Sequence, residues 1–173
     1  TPWTLDKELR NEHSHLAQFS LEVGKTTWPD WPYAARLRLT VEQQFKPRTA
    51  LEMVLTVTNT GDQAFEFTGG LHPYFAIEKP EHFKLLGLNG CPVQDKLDPE
   101  LCEESSGGPS LNGTELERLY LNTPALQMEG SPLGTLTITS TGFTNWMVWN
   151  PGVELAQTIA DLPDQDWTSF VCI

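Results

Sequence analysis

An antiparallel all-β fold is what this sequence predicts, on three observations. Apolar and polar residues alternate with period two along much of the chain, turn-forming Gly and Pro clusters separate these runs, and no stretch carries sustained helical spacing. Phe19, Leu21 and Val23 give the first run. Leu37, Leu39 and Val41 interleave with Arg36, Arg38 and Thr40 to give the second. Leu51, Met53, Leu55 and Val57 interleave with Glu52, Val54, Thr56 and Thr58 in the third, and each run reads as a half-buried strand. The rhythm returns at Phe65 and Phe67, Leu136 and Ile138, Trp146 and Val148, and Phe170 and Cys172, so seven or more short strands are expected.

Asn59-Thr60-Gly61-Asp62, Ser105-Ser106-Gly107-Gly108-Pro109 and Asn150-Pro151-Gly152 supply the turns, because Gly permits positive φ and Pro fixes it. Val153 to Ala160 has weak helical spacing, and Pro163 ends any helix before Asp164, so a single turn or an ordered loop is expected there. Many short strands need a second layer over their apolar faces, which points to a Greek-key sandwich or a larger antiparallel supersandwich. With 173 residues and no internal repeat, the chain is expected to form one domain, residues 1–173, or part of one. It opens without an initiator Met on an apolar-polar alternation, as a piece of a longer protein would.

Eleven Lys and Arg against 23 Asp and Glu give a net charge of −12, which opposes nonspecific binding to nucleic acid or an anionic membrane. No apolar run approaches the roughly 20 residues a spanning helix needs. The charge leaves a small molecule or a protein as the partner, and a monomer is expected. A few converging arginines can still hold a phosphate against an acidic background, so charge neither supports nor forbids one. No basic region followed by an apolar stretch marks a secretion signal. Cys91, Cys102 and Cys172 form an odd set without Cys-x-x-Cys spacing, which suits idle thiols in a reducing, cytoplasmic setting better than a disulfide framework or a zinc site.

His72 stands in Phe67-Thr68-Gly69-Gly70-Leu71-His72-Pro73-Tyr74-Phe75, just after a Gly pair where backbone can approach a ligand closely. Histidine is the commonest general acid or base, but a histidine at a strand end that merely hydrogen-bonds a neighbour fits the residues equally well. His13 and His15 share a face if extended, yet no third ligand is near, and a solvated surface pair is expected. His82 lies in a polar connection. Six Trp residues suit sugar stacking or core packing, and Trp146 and Trp149 fall on opposite faces of one strand, so at most one faces a given pocket. No Gly-x-Ser-x-Gly elbow, no thiol beside a His in sequence and no phosphate-cradling Gly loop is present.

Eight segments, in order, resemble the glucose-6-phosphate 1-epimerase branch of the aldose 1-epimerase family. They are Trp31-Pro32-Tyr33, Leu55-Thr56-Val57-Thr58-Asn59-Thr60-Gly61, Gly70-Leu71-His72-Pro73-Tyr74-Phe75, Gly90-Cys91-Pro92 with Asp95-Lys96, Glu117-Arg118-Leu119-Tyr120-Leu121, Val148-Trp149-Asn150-Pro151, Ala160-Asp161 and Phe170-Val171-Cys172-Ile173. The resemblance implies a galactose-mutarotase-like antiparallel β-supersandwich that interconverts the α and β anomers of an aldohexose 6-phosphate without metal or cofactor. Of the two kinds of partner, a small-molecule hexose or hexose phosphate is therefore expected. It implies that His72, at the floor of a sugar-sized hollow, protonates the ring oxygen while a Glu takes the proton from the C1 hydroxyl. Glu117 stands where the family usually has an Asp that contacts a sugar hydroxyl, and its extra methylene requires the carboxylate to retract or the sugar to shift.

Two departures accompany the likeness. The family's catalytic Glu follows immediately after the strand ending here at Ile173, and its His-Gly-Phe-Ala-Arg loop would fall directly before Thr1. The chain is therefore expected to be the C-terminal two-thirds of a longer domain. A noncatalytic sugar-binding sandwich and a purely structural β-domain are the alternatives, and neither phosphorylated nor free sugar is selected by these residues.

Overall fold

The three long alternating runs pair with one another. In the computed structural model, which describes residues 2–173, β1 (Thr4–Arg10), β2 (Ser14–Val23), β3 (Ala35–Gln44) and β4 (Ala50–Asn59) form an antiparallel sheet in the order β1-β2-β3-β4. Thr1, the first residue of the expected 1–173 span, lies outside the described residues. The chain divides into two compact units, Thr1–Thr68 and Gly69–Ile173.

In the first unit, the partners Phe19↔Leu39↔Leu55 and Leu21↔Leu37↔Val57 bring the apolar positions of three strands onto one face. Leu21, Val23 and Ala35 are buried there, with Trp31, Leu37 and Phe65 packed against them. Arg36 and Arg38 are exposed on the opposite face, where Arg36 pairs with Glu22, so both arginines are solvated as their alternation predicts. The run at Phe65 and Phe67 is a correction: no strand lies between Asn59 and Tyr74. Phe65 packs 5.4 Å from Trp31 and 5.2 Å from Tyr33, ring centroid to ring centroid, so here the aromatic residues fill a cluster without any neighbouring strand to ladder with.

The second unit contains two sheets. One holds β6 (Lys84–Leu86), β9 (Leu126–Ser131) and β10 (Gly134–Ile138), in the order β10-β9-β6. The other holds β5 (Tyr74–Ala76), β7 (Val93–Asp95), β8 (Leu116–Tyr120), β11 (Trp146–Asn150) and β12 (Phe170–Cys172), in the order β5-β12-β11-β8-β7. Leu85, Leu126 and Met128 of the smaller sheet join Tyr120, Val148 and Val171 of the larger one in a single buried cluster. This sandwich buries one face of each sheet, the arrangement that short amphipathic strands require.

Gly130 sits at φ +87°, and a Cβ there would stand 2.5 Å from the carbonyl oxygen of His82, so glycine is needed for this close crossing. The weak helical spacing after Pro151 becomes one short helix, α1 (Gly152–Ala156). No helix among the described residues is long and apolar enough to cross a membrane.

Candidate functional site

Strand alternation separates the two faces of the five-stranded sheet. On β11, Trp146, Val148 and Asn150 point into the core, while Met147 and Trp149 point out. The register then lines up four outward residues across adjacent strands: Tyr74 opposite Cys172, Cys172 opposite Trp149, and Trp149 opposite Glu117. His72, two residues before Tyr74, lies over this row. Its ring stacks on Tyr74 at 5.0 Å and meets Trp149 edge-on at 5.9 Å, and Tyr74 packs on Phe170 at 5.0 Å.

The Cys172 sulfur lies 2.9 Å from Nδ1 and 3.7 Å from Nε2 of His72, which makes Nε2 the nitrogen with the freer approach. Cys172 is only 2% exposed, and burial pushes its thiol up to about 11. It stays protonated at neutral pH and is a poor nucleophile. Sequence spacing put no thiol beside a histidine; the fold joins two residues 100 apart. Tyr74 also keeps its proton, because burial first, then Cys172 and Asp161, raise its phenol above the usual range.

Glu117 stands on the same outward face, two strand spacings from Cys172, or roughly 10 Å. Its carboxylate accepts a 2.7 Å bond from Lys96 Nζ, which also donates to Glu115 at 3.0 Å. The structure thus brings His72 and Glu117 onto one surface, with Trp149 between them.

That surface is open. His72 is exposed, Tyr74 is 58% exposed, and neither of them lines either of two hollows in this unit. The larger, about 450 Å³, lies among Glu78, Glu81, His82 and Glu129 instead. Around His72 the described residues form a platform of aromatic rings, Tyr74, Trp149 and Phe170. Gly69 and Gly70 have no positive φ, and a Cβ on either would meet nothing within 4 Å, so the fold alone does not require glycine at that pair.

The inward face of the same strands carries a polar network that sequence reasoning missed. Arg118 donates to Asp95 at 2.6 Å through Nε and to Glu104 at 2.8 Å through Nη1, and Tyr120 donates its hydroxyl to Glu104 at 2.5 Å. Glu104 is 3% exposed. Desolvation alone would lower the Arg118 guanidinium, but its bonds to Asp95 and Glu104 hold it above the ordinary value. Burial, then the Glu104 contact, raises the Tyr120 phenol. The signal available in the sequence was Arg118 itself, an inward-pointing cation between two core positions that needs buried acids to match it. At the end of β11, the Asn150 carboxamide donates to the carbonyls of Trp167 and Phe170 at 2.8 Å each and accepts from Gly152 N–H at 2.9 Å.

The remaining histidines lie elsewhere. His15 bonds Glu8 at 2.8 Å across β1 and β2, His13 is exposed, and His82 lies in the turn Pro80–His82 with Glu78 3.7 Å away. Among the described residues, no three His, Cys, Asp or Glu side chains are placed to hold a metal ion. All three cysteines are free. Trp146 is buried with Nε1 donating to the Pro124 carbonyl at 3.0 Å, which leaves Trp149 as the member of that pair facing the candidate site.

The profile of the family described as aldose 1-epimerase matches residues 1–173. Two curated relatives are both named "putative glucose-6-phosphate 1-epimerase". The one from Salmonella typhimurium is 25% identical over 174 residues, which cover 99% of this chain and 56% of the relative. The one from Cenchrus ciliaris is 23% identical over 145 residues, covering 83% and 44%. The crystal structure of a "putative mutarotase (YeaD)" from Salmonella typhimurium matches with a TM-score of 0.82 at 24% identity, over 99% of this chain and 56% of that one. The likeness shows the fold, an antiparallel all-β architecture of the mutarotase kind. The chain spans about half the length of the curated relatives it matches.

Proposed function

This chain belongs to the aldose 1-epimerase family, and from that premise we propose that it carries the acid side of a mutarotase acting on an aldohexose 6-phosphate. The observation that supports this most is the shared outward face of His72, Trp149 and Glu117 on one sheet. Opening a hemiacetal needs a proton delivered to the ring oxygen as another leaves the C1 hydroxyl, and rotation about C1–C2 followed by the reverse transfers closes the other anomer. In this proposal, His72 delivers the proton through Nε2. Trp149 offers a face for the apolar C–H side of the pyranose, and Glu117 accepts a bond from a sugar hydroxyl.

The base is proposed to be the Glu that the family carries next after the strand ending at Ile173. Alternation along β12 would put that position on the face of Cys172, beside His72. The phosphate preference is taken from the names of the relatives, and three free thiols suit a reducing, cytoplasmic setting.

Saturation-transfer NMR on glucose 6-phosphate anomers tests the proposal in the full-length protein. Catalysed exchange that His72→Asn removes, with the melting temperature retained, is the expected result. Unchanged exchange in that variant removes His72 from the mechanism. The openness of the ring platform favours one other reading, a noncatalytic sugar-binding module. In that case glucose 6-phosphate would perturb Trp fluorescence with no exchange at all.

A further inference from the structure

Two neighbouring strands carry a complementary pair of adjacent charges. Asp95 and Lys96, at the end of β7, face Arg118 and Glu117 of β8. Asp95 and Arg118 are register partners and bond on the inward face at 2.6 Å, while the Lys96 N–H donates to the Glu117 carbonyl at 3.0 Å. Lys96 Nζ then reaches the Glu117 carboxylate at 2.7 Å on the outward face. The two strands are therefore pinned from both sides by charges of opposite order.

The direction of the outward pin matters for the site. β8 has β11, with Trp149, on one flank and β7 on the other. Lys96 draws the Glu117 carboxylate towards the β7 flank, away from Trp149 and His72. A Glu reaches one methylene further than an Asp, and a cation on the far flank takes up that extra reach. Glu115, also bonded to Lys96 at 3.0 Å, holds the ammonium from a second side. Those two bonds raise the Lys96 ammonium above its ordinary value, so it remains charged throughout the neutral range.

We infer that Lys96 is a positioning residue that sets how far the Glu117 carboxylate extends over the sugar platform, and so tunes recognition of the hydroxyl that Glu117 meets. The inference rests on the sugar-binding role proposed for Glu117. As an exposed pair, Lys96 and Glu117 add little to folding stability. The contribution lies in holding one rotamer of a long side chain that would otherwise sample several.

A double-mutant cycle in the full-length protein separates the inference from the reading beneath it. Affinity for glucose 6-phosphate, and for glucose in parallel, is measured by Trp fluorescence in wild type, Lys96→Ala, Glu117→Ala and the double variant, with melting temperatures alongside. Lys96→Ala is expected to weaken both sugars about fivefold with the melting temperature retained, Lys96→Arg to restore most of that loss, and Glu117→Ala to weaken both about tenfold. In the Glu117→Ala background, removal of Lys96 is expected to have no further effect, because Lys96 acts through that carboxylate. Equal losses in both backgrounds, or no loss in Lys96→Ala while Glu117→Ala binds weakly, overturn the inference alone. Undiminished sugar binding in Glu117→Ala overturns the role of Glu117, and the inference with it.

Discussion

The two faces of the five-stranded sheet are built by the same strands and differ in almost every physical respect. Inward, Glu104, Arg118 and Tyr120 satisfy one another in a largely buried network, with Arg118 opposite Val148. Outward, His72, Tyr74, Trp149 and Glu117 keep polar or aromatic surface open to solvent. A side chain and its immediate neighbour on β8, Arg118 and Glu117, therefore meet different surroundings: the first bonds the largely buried acids Asp95 and Glu104, the second bonds Lys96 at an exposed surface. If the outward face carries the proposed recognition and the inward face the stability, the two are expected to respond separately to substitution.

The largest expected effect is on the outward face. His72→Asn should lower the rate of anomer exchange by about a thousandfold, the range of a lost general acid, while the melting temperature holds. Next comes the inward face: Glu104→Ala leaves Arg118 short of one acid and strands the Tyr120 hydroxyl, at a cost of about 3 kcal/mol in chemical denaturation. Sugar affinity of the folded fraction should not change, and a change there would mean that the two faces are not separable. Trp149→Ala should weaken sugar binding by about 1 kcal/mol, read by titration, with a small effect on stability because the residue is only half-buried.

The smallest effect is one of pH. Burial alone would raise the Asp95 carboxyl, but the Arg118 bond and the Leu97 and Asp98 N–H groups outweigh it and hold it below the usual carboxylate range. A depressed folded value contributes stability that is present above the unfolded value and lost as pH falls through the folded one. The melting temperature of wild type should therefore fall more steeply below about pH 4 than that of Asp95→Asn. Parallel curves would mean that the inward network does not titrate through Asp95.

Legibility in the sequence followed the strength of the apolar repeat. β2, β3 and β4, ten residues each, repeat the alternation often enough to be unmistakable, and β11 and β12 were flagged by Trp146, Val148, Phe170 and Cys172. β5, β6 and β7 have three residues each, as β12 has, but lack a matched pair of strongly apolar residues two apart. Phe65 and Phe67 misled for the converse reason: an aromatic cluster produces the same spacing without a partner strand. His72 and Glu117 were found through motif resemblance, not through any property of their own. Cys172 beneath His72, and Glu104 beneath Arg118, depend on contacts between distant segments, which local patterning cannot carry.

The Asn150 carboxamide has a consequence for β12. That strand meets β5 through three register pairs but β11 through one, Trp149 with Cys172, so the side-chain amide bonded to the Trp167 and Phe170 carbonyls adds a tie on the flank where the ladder is shorter. The sulfur under the imidazole is thus held in place from the opposite side of the sheet. A loosening of that amide is expected to reach His72 as a shift in the footing of its ring, with no contact on the outward face altered directly.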